Sequence, residues 1–505
     1  MTQKFLALGG LIAATVGGCV EPEEDGDSSV TQEIQGHGGA FLPSGIPVLN
    51  SAGFATTVST TPGGRIDLTN AFFQDIGTNG RRCVSCHLPT AGWGITPEQT
   101  RIIFEATRGG TIPDSLGLGA IFRTNDGSNS PTADVSTLAK RRVAYSMLLN
   151  HGLIRVSMPV PTGAEFELAY ADDPYHHSTA ADVSMFRRPL PTTNLKFLTT
   201  VMWDGRETFA GQTIHFDLSN QSNDATEGHA EGDPITNAQR ESIVEMEVAL
   251  FTAQVYDNKA GFLESAGAKG GPDALVTQAF HVGINDNFGD CIDPDNTGCR
   301  VIGAPLGTGT RGAPFTTNVF NIFASWKNRV GGGQEANRRA VERGEALFNT
   351  RAINITGVSG LNDEAAFGNP PLVPGTCTTC HDTPNSGNHS VVAPLDIGLV
   401  TEARRTADFP LYTLRCSAAG VSAGACTAGQ TVKVTDPGRA MISGKWKHIG
   451  RFKGPILRGL ASRAPYFHNG LGTDLGAVLD FYNTRFNMNL TGQERSDLVA
   501  FLRTL

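Results

Sequence analysis

Two short stretches decide the fold of this 505-residue chain: Cys83-Val84-Ser85-Cys86-His87 and Cys377-Thr378-Thr379-Cys380-His381. In each stretch two residues separate the cysteines, and a histidine follows the second cysteine directly. This is the pattern of haem attachment, because the two thiols add to the two vinyl groups of one porphyrin. The adjacent histidine then lies beneath the iron and supplies the proximal imidazole. The sequence therefore predicts a c-type cytochrome with two covalently bound haem c groups.

Close cysteine pairs also occur in two other kinds of site. A thioredoxin-like redox pair occurs near a βαβ pattern, and this sequence has no such pattern. A zinc site can combine two pairs, but it does not require a histidine directly after each second cysteine. Haem attachment accounts for all residues of both motifs, and it makes His87 and His381 the proximal iron ligands.

Composition is typical of a globular chain with few surface charges, since 39% of the residues are hydrophobic and 18% are charged. The length favours two or more domains, and the 60 glycines predict many loops and turns. A net charge of −9 leaves no basic surface for nucleic acid, so we expect no nucleic-acid partner.

The first 40 residues have the pattern of an export signal followed by a tether. Lys4 precedes a short apolar run, which ends at Val16-Gly17-Gly18-Cys19 and is similar to a lipoprotein cleavage site. We expect residues 1–19 to be a lipoprotein-type signal peptide and residues 20–40 to be a flexible, acidic tether. An ordinary signal peptide with a chance cysteine is the alternative.

A lipid on Cys19 would be the only membrane contact of such a protein, because the apolar run is too short for a membrane span. The sequence therefore predicts a periplasmic protein. Cys19 is not followed by aspartate, which favours anchoring in the outer membrane.

The remaining cysteines form two close pairs without histidine, Cys291/Cys299 and Cys416/Cys426. Both pairs bracket loop sequences in a chain with an export signal, so we expect local disulfides. The loop between the first pair carries acidic residues that could bind calcium, although such residues more often form a turn.

Apolar spacing predicts a mainly α fold with two cytochrome c-like haem domains, long loops and little strand. The N-terminal haem domain, with insertions, covers 41–330, and the C-terminal haem domain covers 335–505. One helix is expected from about Glu335, because apolar residues after it fall on one face. Another helix is expected at the C-terminus, where Thr491 and Glu494 have capping-box spacing.

Four further segments accompany the haem motifs: Met202–Arg206, Arg343–Asn349, Phe452–Arg458 and Ala464–Gly470. With these segments the chain resembles the bacterial diheme cytochrome c peroxidase/MauG family. The resemblance is clear over 187–232 and 335–505. It is thinner over 90–186, where this chain carries a large insertion.

The resemblance implies an exported peroxidase-type oxidoreductase that reduces hydrogen peroxide with electrons from a small donor protein. It implies that the N-terminal haem meets peroxide, that the C-terminal haem takes up or stores an electron, and that Trp203 relays charge between them. A MauG-like enzyme that uses peroxide to oxidise a partner protein is one alternative. A diheme electron carrier without enzymatic activity is another, and a hydrophobic-polymer dioxygenase is more remote.

A peroxidase also needs a group that moves a proton between the peroxide oxygens. The family uses a glutamate about twenty residues after the signature tryptophan. Simple alignment favours Glu231, whereas His229 is chemically apt and Glu227 is a third candidate. The alternative is that at least two of the three are solvated surface charges.

The distal ligand of the C-terminal haem distinguishes the two kinds of family member. At the matching position, classical peroxidases have methionine and MauG-type proteins have tyrosine. Counting from the C-terminal signature gives Tyr482, with Met488 as the alternative. Tyrosine ligation lowers the potential of the iron, whereas methionine raises it.

Other residues have weaker support as parts of the site. Trp93 is a candidate for lining the N-terminal haem pocket, His176 and His177 are candidates for a removable sixth ligand, and His468 would support a haem. The family's inter-haem calcium is doubtful here, because Arg463 stands at one of the matching positions and repels cations. Arg463 is instead a candidate for binding a haem propionate.

Overall fold

The computed structural model describes residues 41–209, 211–278, 319–381, 383 and 394–505. The predicted signal peptide, the tether, Cys19 and the Cys291/Cys299 loop lie outside the described residues. Of the described residues, 35% lie in helices and 17% in strands. The prediction of a mainly α fold is therefore wrong, because the chain has a mixed α/β fold with several small sheets.

The strands were not predicted from the sequence because they are short and many lack alternation of apolar and polar residues. The strand Val183–Arg187, for example, is buried at all five positions. A strand covered on both faces has no exposed positions to mark a period of two. The glycine-rich segments between the strands then read as loops.

Eleven α-helices occur in the described part of the chain. In chain order they are α1 Pro97–Thr107, α2 Leu138–Ala144, α3 Ser146–His151, α4 Ile214–His229, α5 Asn237–Ala249, α6 Gly271–Val276, α7 Gln334–Thr350, α8 Ala418–Ser422, α9 Ala440–Ser443, α10 Leu475–Arg485 and α11 Gly492–Leu502. None of these helices has the length and the apolar character needed to cross a membrane.

The strands of the described residues pair into five antiparallel sheets. In chain order they are β1 Phe41–Pro43, β2 Val48–Asn50, β3 Gly53–Ser59, β4 Arg65–Asp67, β5 Ile154–Met158, β6 Phe166–Asp172, β7 Val183–Arg187, β8 Leu250–Asp257, β9 Gly261–Phe262, β10 Ile353–Ile355, β11 Val373–Gly375, β12 Leu411–Cys416 and β13 Thr431–Val434. The largest sheet has the order β2-β3-β8-β9, and a three-stranded sheet has the order β13-β12-β6.

The three-stranded sheet joins the two halves of the chain, because β6 comes before the proposed domain boundary near residue 330 and β12 comes after it. The backbone hydrogen bonds between β6 and β12 hold the two halves together at this place. The boundary itself stays a prediction.

Both helices predicted in the C-terminal half are present, as α7 and α11, and the capping box of Thr491 and Glu494 is confirmed. The two helices pack closely at Gly344, where an added Cβ would lie 2.0 Å from the Asp497 carbonyl oxygen. Arg343 secures the same contact by donating two hydrogen bonds of 2.8 Å to the Asp497 carboxylate. This packing fixes the inner face of α7, from which Phe348 reaches the second haem motif.

The predicted disulfide between Cys416 and Cys426 is confirmed, and it ties the end of β12 to the loop after α8. None of the four cysteines of the haem motifs forms a disulfide within the described residues. The chain thus separates cysteines used for structure from cysteines that remain available for attachment.

Candidate functional site

Two largely apolar cavities lie in the described structure, one at each haem motif. The first cavity, of about 150 Å³, is lined by Cys83, Cys86 and His87. The second cavity, of about 220 Å³, is lined by Cys377, Cys380 and His381. Each cavity is therefore lined by two thiols and one imidazole. A haem c group requires these side chains, the thiols for attachment of the porphyrin and the imidazole as an iron ligand.

The two motifs adopt the same local fold. Each begins with one turn of 3₁₀-helix, Cys83–Ser85 and Cys377–Thr379. In the first motif the His87 amide donates to the Cys83 carbonyl at 3.1 Å, and the matching bond in the second motif is 3.0 Å. A five-residue turn closed in this way brings both cysteines and the histidine to one side.

The His87 ring is set up as an iron ligand. Its Nδ1 lies 3.3 Å from the Trp93 carbonyl oxygen, which can only accept, so Nδ1 carries the proton and Nε2 is left for the metal. Burial lowers the pKa of His87 to about 4, so the ring is neutral at physiological pH, as a ligand must be. These features fit a proximal haem ligand.

A shared wall separates the two cavities. It consists of the residues that line both of them: Arg188, Pro189, Leu190, Pro191, Trp203, Lys453 and Ile456. Trp203 is 9% exposed, and its indole Nε1 donates to the Arg188 carbonyl at 2.8 Å. The indole thus lies between the two motifs, and its predicted role as a charge relay stays a prediction.

Three buried cations stand at this wall or beside it. Lys453 donates from Nζ to the Thr200 carbonyl at 2.9 Å, and burial lowers its pKa to about 7. Arg188 and Arg463 likewise donate to backbone carbonyls, and burial lowers the pKa of Arg463 to about 10. Within the described residues no carboxylate pairs with any of the three. Buried cations usually have anionic partners, and haem propionates would supply them.

A buried ionic network holds the segment around Trp203. Arg187 donates from Nε to Asp436 at 2.7 Å and also binds Asp204, and all three side chains are buried. Burial opposes ionisation of Asp204, but Arg206 and Arg187 hold its pKa below the usual range. The network anchors the Trp-Asp-Gly-Arg segment to the loop that follows β13.

The three predicted acid–base candidates lie in different environments. His229, on the inner face of α4, lines the first cavity, and its Nδ1 is hydrogen-bonded to Asp126. Glu227 and Glu231 are exposed and are not among the residues that line the first cavity. Their roles as proton-transfer groups stay predictions.

A fourth group, Glu247, was not predicted from the sequence. This side chain is 3% exposed and lines the first cavity from α5. Burial raises its pKa to about 8. The available signal was its spacing, because Glu247 stands four and three residues after Ile243 and Val244 and so continues the apolar face of that helix.

In the second cavity, Tyr482 and Met488 are both lining residues. Burial raises the pKa of Tyr482, and the nearby sulfurs of Cys380 and Cys377 raise it further. Met488 is also buried. Both distal ligands proposed from the sequence therefore remain open.

His468 lines the second cavity and stacks on Phe452, with ring centroids 3.9 Å apart. Neither of its buried ring nitrogens has a hydrogen-bond partner in the described residues. Trp93 is fully buried, with Nε1 donating to the Thr57 hydroxyl at 2.9 Å, and it is not among the lining residues of the first cavity. His176 and His177 are likewise not among the lining residues of the first cavity. The Nε2 of His177 lies 2.7 Å from the Asp182 carboxylate.

Comparison with protein-family models gives no match. The chain is 29% identical over 140 residues to cytochrome-c peroxidase IdrP1 of Pseudomonas sp. (strain SCT), which covers 26% of this chain and 36% of that protein. It is 41% identical over 78 residues to cytochrome-c peroxidase IdrP2 of Denitromonas iodatirespirans, which covers 14% of this chain and 21% of that protein. The chain thus spans about a third or less of the length of these curated relatives. The similarity to these cytochrome-c peroxidases is limited to about a quarter of this chain or less.

Proposed function

We propose that this chain is an exported diheme c-type cytochrome that reduces hydrogen peroxide with electrons from a small redox protein. The observation that carries the proposal is the pair of cavities, each lined by Cys-X-X-Cys-His, with Trp203 in their shared wall. The similarity to cytochrome-c peroxidases over part of the chain supports the same function.

Each haem would be attached covalently, to Cys83 and Cys86 in the first cavity and to Cys377 and Cys380 in the second. When bound, these groups supply the redox-active iron. The chain's own residues would orient the haems and balance the negative charge of their propionates. The Trp93 carbonyl holds the His87 tautomer, and the buried cations of the shared wall would balance the propionates.

Peroxide chemistry belongs, in this proposal, to the first cavity. Hydrogen peroxide takes up two electrons and two protons and leaves as two waters, so its site must supply protons. His229 and Glu247 both line the first cavity and can carry protons. His229 is further held by Asp126, which in turn pairs with Arg81 at 2.5 Å.

The test uses the full chain matured in a periplasm that attaches haem. Purified protein is mixed with a reduced small c-type cytochrome and hydrogen peroxide, and paramagnetic resonance spectra are recorded before and after peroxide. We expect enzyme-dependent oxidation of the donor and a high-spin ferric signal that peroxide abolishes. Two low-spin signals that peroxide leaves unmoved, also after one-electron reduction, would favour a non-enzymatic electron carrier.

A second candidate function is MauG-like oxidation of a partner protein. The observation that favours it is the position of Tyr482 in the lining of the second cavity beside the motif cysteines. If the tyrosine binds iron, Tyr482→Phe changes the low-spin signal and Met488→Leu does not. Storage of two oxidising equivalents without oxidation of the donor would then favour this function. A low-spin signal that changes in Met488→Leu and not in Tyr482→Phe, together with oxidation of the donor, favours the classical peroxidase.

We also propose that the protein is periplasmic and held at the outer membrane by a lipid on Cys19. The short apolar run and the small residues before Cys19 support this. Labelling with a radioactive fatty acid tests it, because Cys19→Ser should abolish the label and release the protein from the membrane fraction. An unlabelled, fully soluble wild type would contradict the anchor.

A further inference from the structure

Glu247 occupies an unusual position for a carboxyl group. It lies in the last turn of α5, a helix that begins with a capping box formed by Thr236 and Gln239. Its neighbours Ile243, Val244 and Met246 are buried in the apolar core. The carboxyl group is therefore held on a rigid, apolar helix face that lines the first cavity.

No partner in the described residues compensates this group. The Oε2 atom is buried without a hydrogen bond to the described residues, and none of their lysines or arginines forms an ion pair with Glu247. Two cations that line the first cavity pair with other carboxylates, since Arg81 pairs with Asp126 and Arg206 lies 3.2 Å from Asp204. A buried carboxyl without a partner is costly when ionised, so Glu247 rests as the neutral acid.

Another buried glutamate shows what a structural role looks like in this chain. Glu345, on α7, accepts hydrogen bonds from the backbone amides of Ile322 at 2.6 Å and Phe323 at 3.0 Å. Both of its oxygens are used to hold a neighbouring segment. Glu247 has no such segment to hold at Oε2, and it faces the cavity.

We propose that Glu247 is the general acid of the first cavity and protonates hydrogen peroxide as the O–O bond breaks. The inference rests on the proposed peroxidase function and names the residue that serves it. The Glu247 carboxyl gives its proton to the peroxide oxygen that leaves as the first water, and a proton from solvent restores the acid. Two electrons from the donor protein and a second solvent proton complete the second water.

The two glutamates named from the sequence are less suited to this step. Glu231 is exposed, and its carboxylate accepts a hydrogen bond of 3.3 Å from Asn79. Glu227 is also exposed and accepts one of 2.8 Å from Asn223. An acid that protonates a substrate must reach it and must hold its proton near the working pH. Solvent-facing carboxylates outside the cavity do not meet the first condition.

The experiment compares Glu247→Gln with Glu241→Gln in the full-length protein carrying its haems. Glu241 is a matched control, because it lies on the outer face of the same helix and its side chain is 51% exposed. We expect Glu247→Gln to lower the rate of peroxide reduction by about 10²- to 10⁴-fold, and Glu241→Gln to leave it within twofold. A Glu247→Gln rate equal to the control, or an equal fall in Glu231→Gln, would overturn the inference.

Infrared spectroscopy gives a readout that does not depend on activity. The resting oxidised protein at pH 7 should show carbonyl stretches of protonated carboxylic acids, and Glu247→Gln should lack the component that comes from Glu247. Persistence of the full band in Glu247→Gln would also overturn the inference. If the wild type shows no peroxide turnover at all, the proposed function fails instead. If Glu247→Gln does not bind two haems, Glu247→Leu replaces it, and a wild-type rate in that variant counts against the inference.

Discussion

The first and second cavities are built on the same five-residue motif, yet their linings differ. Proton-carrying side chains, His229 and Glu247, line the first cavity. Tyr482 and Met488, which are the two candidates for a distal iron ligand, line the second. Proton supply suits a cavity that takes a substrate, whereas a strong distal ligand suits one that exchanges electrons. The motif therefore predicts a haem site, and the surrounding elements decide what that site can do.

The largest expected effect comes from removing one attachment at a time. Cys83→Ser combined with Cys86→Ser should lower the mass of the denatured chain by one haem and reduce peroxide turnover to the level without protein. Cys377→Ser combined with Cys380→Ser serves as the counterpart for the second cavity. Mass spectrometry and a peroxide assay check both. Full turnover after loss of the first haem would contradict this assignment and would mean that peroxide is reduced in the second cavity.

The next test concerns the shared wall, because Trp203 in this wall is expected to carry electrons between the two haems. Trp203→Phe keeps an aromatic ring but removes the oxidisable indole and its hydrogen bond to the Arg188 carbonyl, a loss of about 1 kcal/mol of stability. We expect slower electron transfer between the haems in single-turnover stopped-flow experiments. Trp446→Phe is the control, because Trp446 packs in the same core without lining either cavity. Equal rates in the two variants would remove Trp203 from the relay.

The pH dependence of stability sharpens the contrast in the first cavity. The pKa of Glu247 is raised to about 8 in the folded chain from 4.5, so the folded state holds an extra proton between these values. The free energy of unfolding should therefore fall as pH rises from about 4.5 to 8. At about 1.4 kcal/mol per pKa unit, the total is on the order of a few kcal/mol. Thermal unfolding across this range should show the fall in wild type and Glu241→Gln and less of it in Glu247→Gln. Parallel curves for all three proteins would contradict the prediction.

The smallest expected effect concerns Lys453, one of two cations among the described residues that line both cavities. Burial lowers the pKa of Lys453 to about 7, so its amine is charged below that pH and neutral above it. A positive charge raises a reduction potential, so Lys453→Met should lower the potentials of both haems at pH 6 and change them less at pH 8. Potentiometric titration measures this, with the exposed Lys196→Met as the control. A shift confined to one haem would mean that the amine serves only one cavity.

Local patterns in the sequence predicted part of this architecture correctly. The apolar stripe after Glu335 and the capping box at Thr491 predicted α7 and α11, because helix signals lie within a few residues of one another. The Cys416–Cys426 disulfide was predicted for the same reason. The strands were missed because β6 pairs with β12 from a distant part of the chain, and such pairing leaves no local mark.

The candidate site divides along the same line. Cys-X-X-Cys-His determined by itself which residues can hold a haem, because five consecutive residues closed by one backbone hydrogen bond present all three donors. Tertiary structure alone decided that Glu247 faces the first cavity and that Glu227 and Glu231 face solvent. These outcomes depend on how α4, α5 and the distant C-terminal segments pack around each motif. Burial and the lack of hydrogen-bond or ion-pair partners then set the pKa of a side chain, and both are properties of the folded chain.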